Sequence, residues 1–176
     1  MGTQTQAPYI PNGIVVPTSF VQRTLDLYES EYVAVEKAEW DGRNARCRIR
    51  PIAYPFTRPG HIDYVTASMA LLYASQGAYL AARLAIRDVG ATYDPPLTDA
   101  HFFATRDIGD LVFTDVSVAF RRKIHIDMTG PLILQQTLRP LRLSRGYFFG
   151  RLEACLDGRS CQITGVLAMP APSRSA

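Results

Sequence analysis

The sequence has little cysteine and little lysine. Its 176 residues include 3 cysteines, Cys47, Cys155 and Cys161, without a C-x-x-C pair or a metal-ligand spacing. A short chain held together by disulfides would carry more, so we expect a reducing compartment and cysteines that lie in the core or in strands. The formal net charge of +3 comes from 19 basic residues, nearly all of them arginine. This mild excess argues against a nucleic-acid-binding protein.

The N-terminus lacks the pattern of a secretory signal, because the first 13 residues, MGTQTQAPYIPNG, have neither a basic start nor an apolar run. We therefore expect a cytoplasmic protein. Residues 1–13 and 170–176 are rich in Pro, Gly and Ser and contain little to bury, which predicts two flexible ends. The 156 residues between them, 14–169, are predicted to form a single domain with an ordinary hydrophobic core.

One long segment lacks charge. The 19 residues between Asp63 and Arg83 are mostly Ala, Leu, Val, Met and Tyr. Their number would suit a membrane span, but the segment contains Thr66, Ser75 and Gln76 and lies between strand patterns. A helix that is apolar nearly all round must be covered by other elements when it does not lie in a membrane. We therefore predict one long buried helix covered by a sheet, with no membrane span.

The remaining patterns are mostly those of strands. A short helix is expected after Pro17-Thr18-Ser19, two strands between residues 32 and 52 are joined at Asp41-Gly42, and a second short helix is expected near 99–106. Four strands follow, at 111–120, 131–141, 147–156 and 161–169. This order predicts an α+β hot-dog fold, an antiparallel sheet of about six strands curled around one central helix. Because such a sheet leaves an edge strand exposed, we expect a homodimer or a larger homo-oligomer.

The N-terminal end of the long helix is the predicted site of chemistry. Unpaired backbone N–H groups and the positive end of the helix dipole can polarise a thioester carbonyl at that position. Asp63 is a residue type that caps helices, which by itself would account for its position, and its carboxylate can also direct water. His61 precedes the helix, where an imidazole can act as a general base or acid or can make a structural hydrogen bond. Thr66 is a further catalytic candidate.

Two other histidines are weaker candidates. His125 begins a second His-Ile-Asp run directly after Arg121-Arg122-Lys123, and we interpret this repeat as a coincidence. His101 stands beside two phenylalanines and is predicted to pack or to lie at the surface.

The chain resembles the FcoT-like hot-dog family, which is named for a mycobacterial long-chain fatty-acyl-CoA thioesterase. Relatives in isonitrile lipopeptide pathways process enoyl chains on acyl carrier proteins and add glycine to them. The resemblance extends from about Val16 to Met169 and is carried by four short runs, which are TLDLY at 24–28, GHID at 60–63, SQGAY at 75–79 and FRRK at 120–123. It implies a site at His61 and Asp63, with Tyr54 one residue from a family active-site tyrosine. Asp63 and Ser75 stand where the family commonly has asparagine.

Several residues are candidates for binding the substrate. The tyrosines near or within the long helix can line an acyl tunnel or can simply be core residues. Arg121 and Arg122, at a predicted strand end, can hold a CoA phosphate or an acidic carrier protein, or can form a solvated basic patch. The candidates are Tyr28, Tyr64, Tyr73, Ser75, Gln76, Tyr79, Arg121 and Arg122.

The expected function is that of an enzyme acting on a fatty or polyketide acyl chain, which acyl carrier protein or CoA carries as a thioester. Hot-dog dehydratases usually take their carboxylate from the opposing helix, and no Asp or Glu occurs between residues 64 and 87 to play that part. This favours thioester hydrolysis over the alternative of dehydration or conjugate addition at a 2-enoyl position. The loss of the family asparagines favours a third hypothesis, in which the protein binds an acyl thioester or holds a partner hot-dog subunit without catalysis. We expect no metal and no cofactor beyond the phosphopantetheine arm.

Overall fold

Within the described residues, a helix of 23 residues runs along the inner face of an eight-stranded antiparallel sheet. The computed structural model describes residues 13–52, 63–126 and 131–172. Its elements are β1 (Ile14–Val15), α1 (Thr18–Leu25), β2 (Val35–Trp40), β3 (Asn44–Ile49), α2 (Ala67–Val89), α3 (Asp99–Asp107), β4 (Val112–Phe120), β5 (Leu132–Leu138), β6 (Arg142–Ser144), β7 (Tyr147–Leu156) and β8 (Cys161–Pro170).

The strand order is β1-β2-β3-β5-β7-β8-β4, and β6 pairs with β7. Tight turns join β2 to β3 and β7 to β8, with φ values of 91° at Gly42 and 58° at Gly158 that glycine adopts without strain. The predicted strands are confirmed, and Cys155 and Cys161 lie in strands as free thiols. β1 and β6 were not predicted because strands of two and three residues are too short to show an alternating pattern.

Small side chains let α2 lie close to the sheet. Its buried residues include Ala70, Ala74, Ala78 and Ala81, and it contacts strands from β2 across to β4. The predicted buried helix within the curl of a sheet is therefore confirmed. Among the described residues, no helix combines the length and the apolar character that crossing a membrane would require.

The start of α2 differs from the expectation. Asp63 was expected to cap the helix, but the N-cap is Thr66, whose hydroxyl oxygen accepts a hydrogen bond from Met69 N at 3.3 Å. Residues 63–65 are extended, because their backbone pairs with the segment that follows β4. Val65 N donates to Ile124 O at 2.9 Å, and Ile126 N donates to the backbone oxygen of Asp63 at 2.7 Å. This pairing brings two distant parts of the sequence together beside the helix end.

Candidate active site at the N-terminus of the central helix

Four side chains meet beside the N-terminus of α2. We call them the Asp63 cluster, which consists of Asp63, Tyr64, Lys123 and His125. Lys123 Nζ lies 3.2 Å from one carboxylate oxygen of Asp63, and His125 Nδ1 lies 3.5 Å from the other. Lys123 Nζ also lies 4.5 Å from the centre of the Tyr64 ring. The carboxylate thus lies between an ammonium group and an imidazole.

The Asp63 cluster is open to solvent and negatively charged at its centre. The side chains of Asp63, His125 and Lys123 are 64%, 63% and 49% exposed, so a substrate can reach them. The hydrogen bond from Lys123 holds the pKa of Asp63 below its usual value, and the charges of Lys123 and His125 act in the same direction. Asp63 is therefore an ionised acceptor at neutral pH.

The first turn of α2, which begins four residues after Asp63, supplies hydrogen-bond donors. The Thr66 hydroxyl accepts from Met69 N, whereas no helical carbonyl can accept from the backbone N–H groups of Ala67 and Ser68, which lie in the first turn. These groups and the helix dipole favour negative charge at this end. The arrangement combines donors that can hold a developing oxyanion with a carboxylate and an imidazole that can handle a proton.

No family model matches the chain, and no curated protein matches it in sequence. Among solved structures, it is similar to a thioesterase of Pseudomonas aeruginosa, crystallised as a glutamine-to-alanine mutant. The identity is 11%, the match covers 96% of this chain and 99% of that chain, and the TM-score is 0.52. This chain has the hot-dog fold.

Two further matches to this hot-dog chain have lower scores. One is a dehydratase heterocomplex of Xenorhabdus doucetiae, with 14% identity, 88% of this chain and 92% of that chain covered, and a TM-score of 0.48. The other is a thioesterase superfamily member of zebra fish, with 11% identity, 86% and 94% covered, and a TM-score of 0.47.

The structure places two of the four predicted catalytic residues of the hot-dog domain. Asp63 lies in the cluster, and Thr66 caps α2 with its hydroxyl oxygen. His61 and Tyr54 lie outside the described residues, so their catalytic roles stay predictions. Within the described ranges, no three His, Cys, Asp or Glu side chains are placed to hold a metal ion together.

Three predicted substrate-binding residues on the hot-dog helix make structural contacts instead of meeting the cluster. Tyr73 is fully buried, its hydroxyl accepts from Ile52 N at 3.1 Å, and burial raises its pKa. Gln76 is also fully buried; its amide oxygen accepts from Ala34 N at 2.8 Å and its amide nitrogen donates to Tyr32 O at 2.6 Å. The Ser75 hydroxyl donates to the carbonyl one turn earlier in α2.

Tyr28 and Tyr79 form a separate pair with ring centres 6.4 Å apart. The Tyr79 hydroxyl donates to Leu111 O at 3.4 Å, and burial raises the pKa of both tyrosines. Tyr79 is twelve residues after Ala67, which places it about 18 Å along the helix from the first residue of α2. Of the predicted tyrosines that the structure describes, only Tyr64 belongs to the cluster.

The basic run after β4 is divided between two places. Arg121 donates to Gln162, and Arg122 contacts Ser160 and Asp157 in the β7–β8 turn. Lys123, the third member, joins the Asp63 cluster. A phosphate-binding role for the two arginines stays a prediction.

His125 is the residue of the site that sequence reasoning set aside. The signal was present, because His-Ile-Asp occurs both at 61–63 and at 125–127, and the chain pairs Tyr64 with His125 in an antiparallel bridge. His101, in contrast, lies with Nε2 2.7 Å from Pro170 O and packs against the end of β8, as predicted.

Proposed function

We propose that this protein is a hot-dog enzyme that hydrolyses an acyl thioester carried by acyl carrier protein or CoA. The observation that carries the proposal is the Asp63 cluster, in which a solvent-exposed carboxylate and imidazole lie on the paired backbone that leads into the N-terminus of a long buried helix. The name of the Pseudomonas aeruginosa neighbour, a thioesterase with the same fold over nearly its whole length, supports the same reaction class.

The reaction uses the two parts of the site in different ways. The substrate carbonyl lies with its oxygen toward the N–H groups of Ala67 and Ser68, which stabilise the charge that develops on it. The Asp63 cluster directs a water molecule at the carbonyl carbon, and the thiol of the carrier leaves. The substrate is a fatty or polyketide acyl chain on a phosphopantetheine arm, and no other cofactor takes part.

The second candidate is dehydration or conjugate addition at a 2-enoyl or 3-hydroxyacyl chain. The imidazole–carboxylate pair favours it, because such a pair can also move a proton at C2. Against it, the only acidic residue of α2 is Asp88 in the last turn, and its carboxylate accepts from Trp40 Nε1 at 2.6 Å. The middle of α2 therefore supplies no carboxylate to the reaction, and hydrolysis is the better-supported function.

We extend the proposal to a cytoplasmic homodimer. Among the described strands, β4 lies at the end of the strand order and pairs with β8 alone. An uncovered edge strand of nine residues is a ready surface for pairing with a second copy.

Intact-mass spectrometry of acyl, 3-hydroxyacyl and 2-enoyl carrier proteins, each incubated with the protein with and without glycine, tests the reaction. Appearance of free holo carrier protein from a plain acyl substrate is the expected result. The same acyl chains presented on CoA, followed by release of the free thiol, identify the preferred carrier.

Asp63→Asn is the matched variant for this assay, and we expect it to slow thiol release while it still binds the substrate. Loss or gain of one water on a chain that stays attached would contradict hydrolysis and support the dehydratase. Chain release only when glycine is present would support conjugate addition. No change with any substrate would leave an acyl-binding subunit as the function.

A further inference from the structure

We propose that His125 is the general base of the hydrolysis and that Asp63 is its positioning residue. The inference rests on the proposed function, and it assigns a catalytic role to a histidine that the sequence analysis ranks as a weaker candidate.

The backbone holds His125 in a fixed place. His125 pairs with Tyr64 in an antiparallel bridge, and hydrogen bonds of 2.9 and 2.7 Å flank this bridge on its two sides. Val65, at one of these hydrogen bonds, is followed directly by the helix cap Thr66. The imidazole is therefore attached to backbone that pairs with Tyr64, two residues before the helix cap, which is the kind of support that a catalytic side chain needs.

The orientation of the ring assigns its two nitrogens. Nδ1 lies 3.5 Å from Asp63 Oδ2, so we assign the proton of the neutral ring to Nδ1, on the side of the carboxylate, and the free lone pair to Nε2. Lys123 hydrogen-bonds the other oxygen of Asp63 and keeps the carboxylate ionised. A carboxylate in this position fixes the tautomer and stabilises the imidazolium ion that forms when Nε2 takes a proton.

Each step balances with water as the only co-reactant. Nε2 takes one proton of the water as its oxygen attacks the carbonyl carbon, and the carbonyl electron pair moves to the oxygen beside Ala67 and Ser68. The C–S bond then breaks as the carbonyl re-forms, and the departing sulfur takes the proton from Nε2–H. The products are a carboxylic acid and the carrier thiol, and His125 is neutral again.

Two other groups in the described part of the chain are less suited to this role. Asp63 itself is held by Lys123, and a carboxylate with a lowered pKa is a weak base. His101 has its Nε2 against Pro170 O and contacts β8 instead of α2's first turn. Of the two imidazoles in the described residues, only that of His125 lies on the backbone that leads into the N-terminus of α2.

Three variants test the assignment through kcat, KM and the pH dependence of kcat/KM for thioester hydrolysis. We expect His125→Gln to lower kcat about 10²–10⁴-fold, the usual contribution of a general base, with little change in KM. Asp63→Asn removes the charge that favours the imidazolium ion, so the acid limb of the profile should move to lower pH. Lys123→Met removes a repelling charge, so the acid limb should move to higher pH.

His101→Gln is the matched control, because it removes an imidazole that lies away from the cluster, and it should keep wild-type kinetics. Wild-type activity in a folded His125→Gln variant would overturn the inference and leave the proposed function standing. Shifts of the profile in the same direction for Asp63→Asn and Lys123→Met would also overturn it. A wild-type protein that releases no thiol from any acyl substrate would overturn the proposed function, and the role of His125 with it.

Discussion

At the scale of single residues, the buried glutamines Gln76 and Gln136 differ in whether their amide groups find hydrogen-bond partners. Gln76 makes hydrogen bonds through both amide atoms to the backbone of Tyr32 and Ala34. Gln136 is 2% exposed and packs against Gly77, but neither amide atom has a partner within the described residues. An unsatisfied buried amide costs folding free energy of about 1–3 kcal/mol, whereas a satisfied one is stabilising.

The two glutamines should therefore respond in opposite ways to the same substitution. We expect Gln136→Met to raise the free energy of unfolding by about 1 kcal/mol, because it removes the unpaired amide and fills a similar volume. Gln76→Met should lower it by about 2 kcal/mol or more, because it leaves a backbone N–H and a carbonyl unpaired in the core. Urea unfolding of both variants measures the difference, and a loss of stability in Gln136→Met would show that its amide is satisfied.

The sequence does not predict which of these two glutamines has hydrogen-bond partners for its amide. Gln76 contacts residues 42 and 44 positions away, and a resemblance run that includes Gln76 pointed to substrate binding. Gln136 lies in a strand where alternation predicts only that one face is buried. Whether a buried amide finds a partner depends on which strand lies opposite, which local patterns do not specify.

At the scale of elements, Arg83 joins α1, α2 and α3. It is 4% exposed, and its guanidinium donates to both carboxylate oxygens of Asp99 at 3.0 and 2.7 Å. It also donates to the Thr24 hydroxyl at 2.9 Å, and it lies 3.9 Å from the centre of the Phe20 ring. A buried cation is tolerated only with such partners.

We expect Asp99→Asn to lower the free energy of unfolding at neutral pH and to make that free energy depend less on pH in the acidic range. The hydrogen bond from Arg83 lowers the pKa of Asp99, so its stabilising contribution is complete above its unfolded value of about 3.9 and is lost as pH falls through the lower folded value. We expect the free energy of unfolding to fall by about 1–2 kcal/mol at pH 7. The loss is no larger because Asp99 is half exposed. Chemical unfolding from pH 7 to pH 2.5 should show this difference shrinking below about pH 4; a constant difference would contradict the ion-pair interpretation.

The sequence predicts which helices and strands exist better than it predicts the residues at which they begin and end. The 23-residue α2 and the ten-residue strands β7 and β8 have long apolar patterns and were predicted. The start of α2 was placed at Asp63 instead of Thr66, since both residues are good caps and the choice depends on the backbone partners supplied by residues 124–126.

At the scale of the whole molecule, the hot-dog architecture follows from one long apolar helix followed by consecutive strands, and the position of the site follows from the helix end. The identity of the residues in the site does not follow from the sequence, because Lys123 and Asp63 are 60 positions apart and meet only through the strand pairing beside α2. The repeat of His-Ile-Asp is a pattern in the sequence, but only the fold shows that His125 pairs with Tyr64 just before α2 begins.

The edge of the sheet at β4 bears on the assembly of the whole molecule. β4 has a single charged residue, Asp115, among nine, and Val112 and Phe120 at its two ends are each 39% exposed. Asp115 has a φ of 49° at an irregularity in the pairing with β8, so regular strand geometry resumes at Ser117. An edge with so little charge should pair antiparallel with the same edge of a second copy, most readily over residues 117–120.

The double variant Ser117→Lys, Ala119→Lys should convert the proposed homodimer to a monomer. Both side chains are exposed on one face of β4, so the lysines leave the core intact, and a two-fold antiparallel pairing brings them near their own copies across the interface. Thr164→Lys is the matched control, because Thr164 is exposed and lies opposite Ser117 one strand further in. Light scattering after size-exclusion chromatography should give a monomer for the double variant and a dimer for the control and the wild type.

Thermal unfolding adds an independent measurement, because the Tm of a dimer rises with protein concentration and that of a monomer does not. We expect this dependence in the wild type and in Thr164→Lys, and its loss in the double variant. A double variant that stays dimeric would place the interface on another surface of the sheet, and a wild type that is monomeric at every concentration would contradict the homodimer itself. Because residues 121–126 lead from the end of β4 into the Asp63 cluster, loss of thiol release together with loss of the dimer would further mean that the paired edge supports the active site.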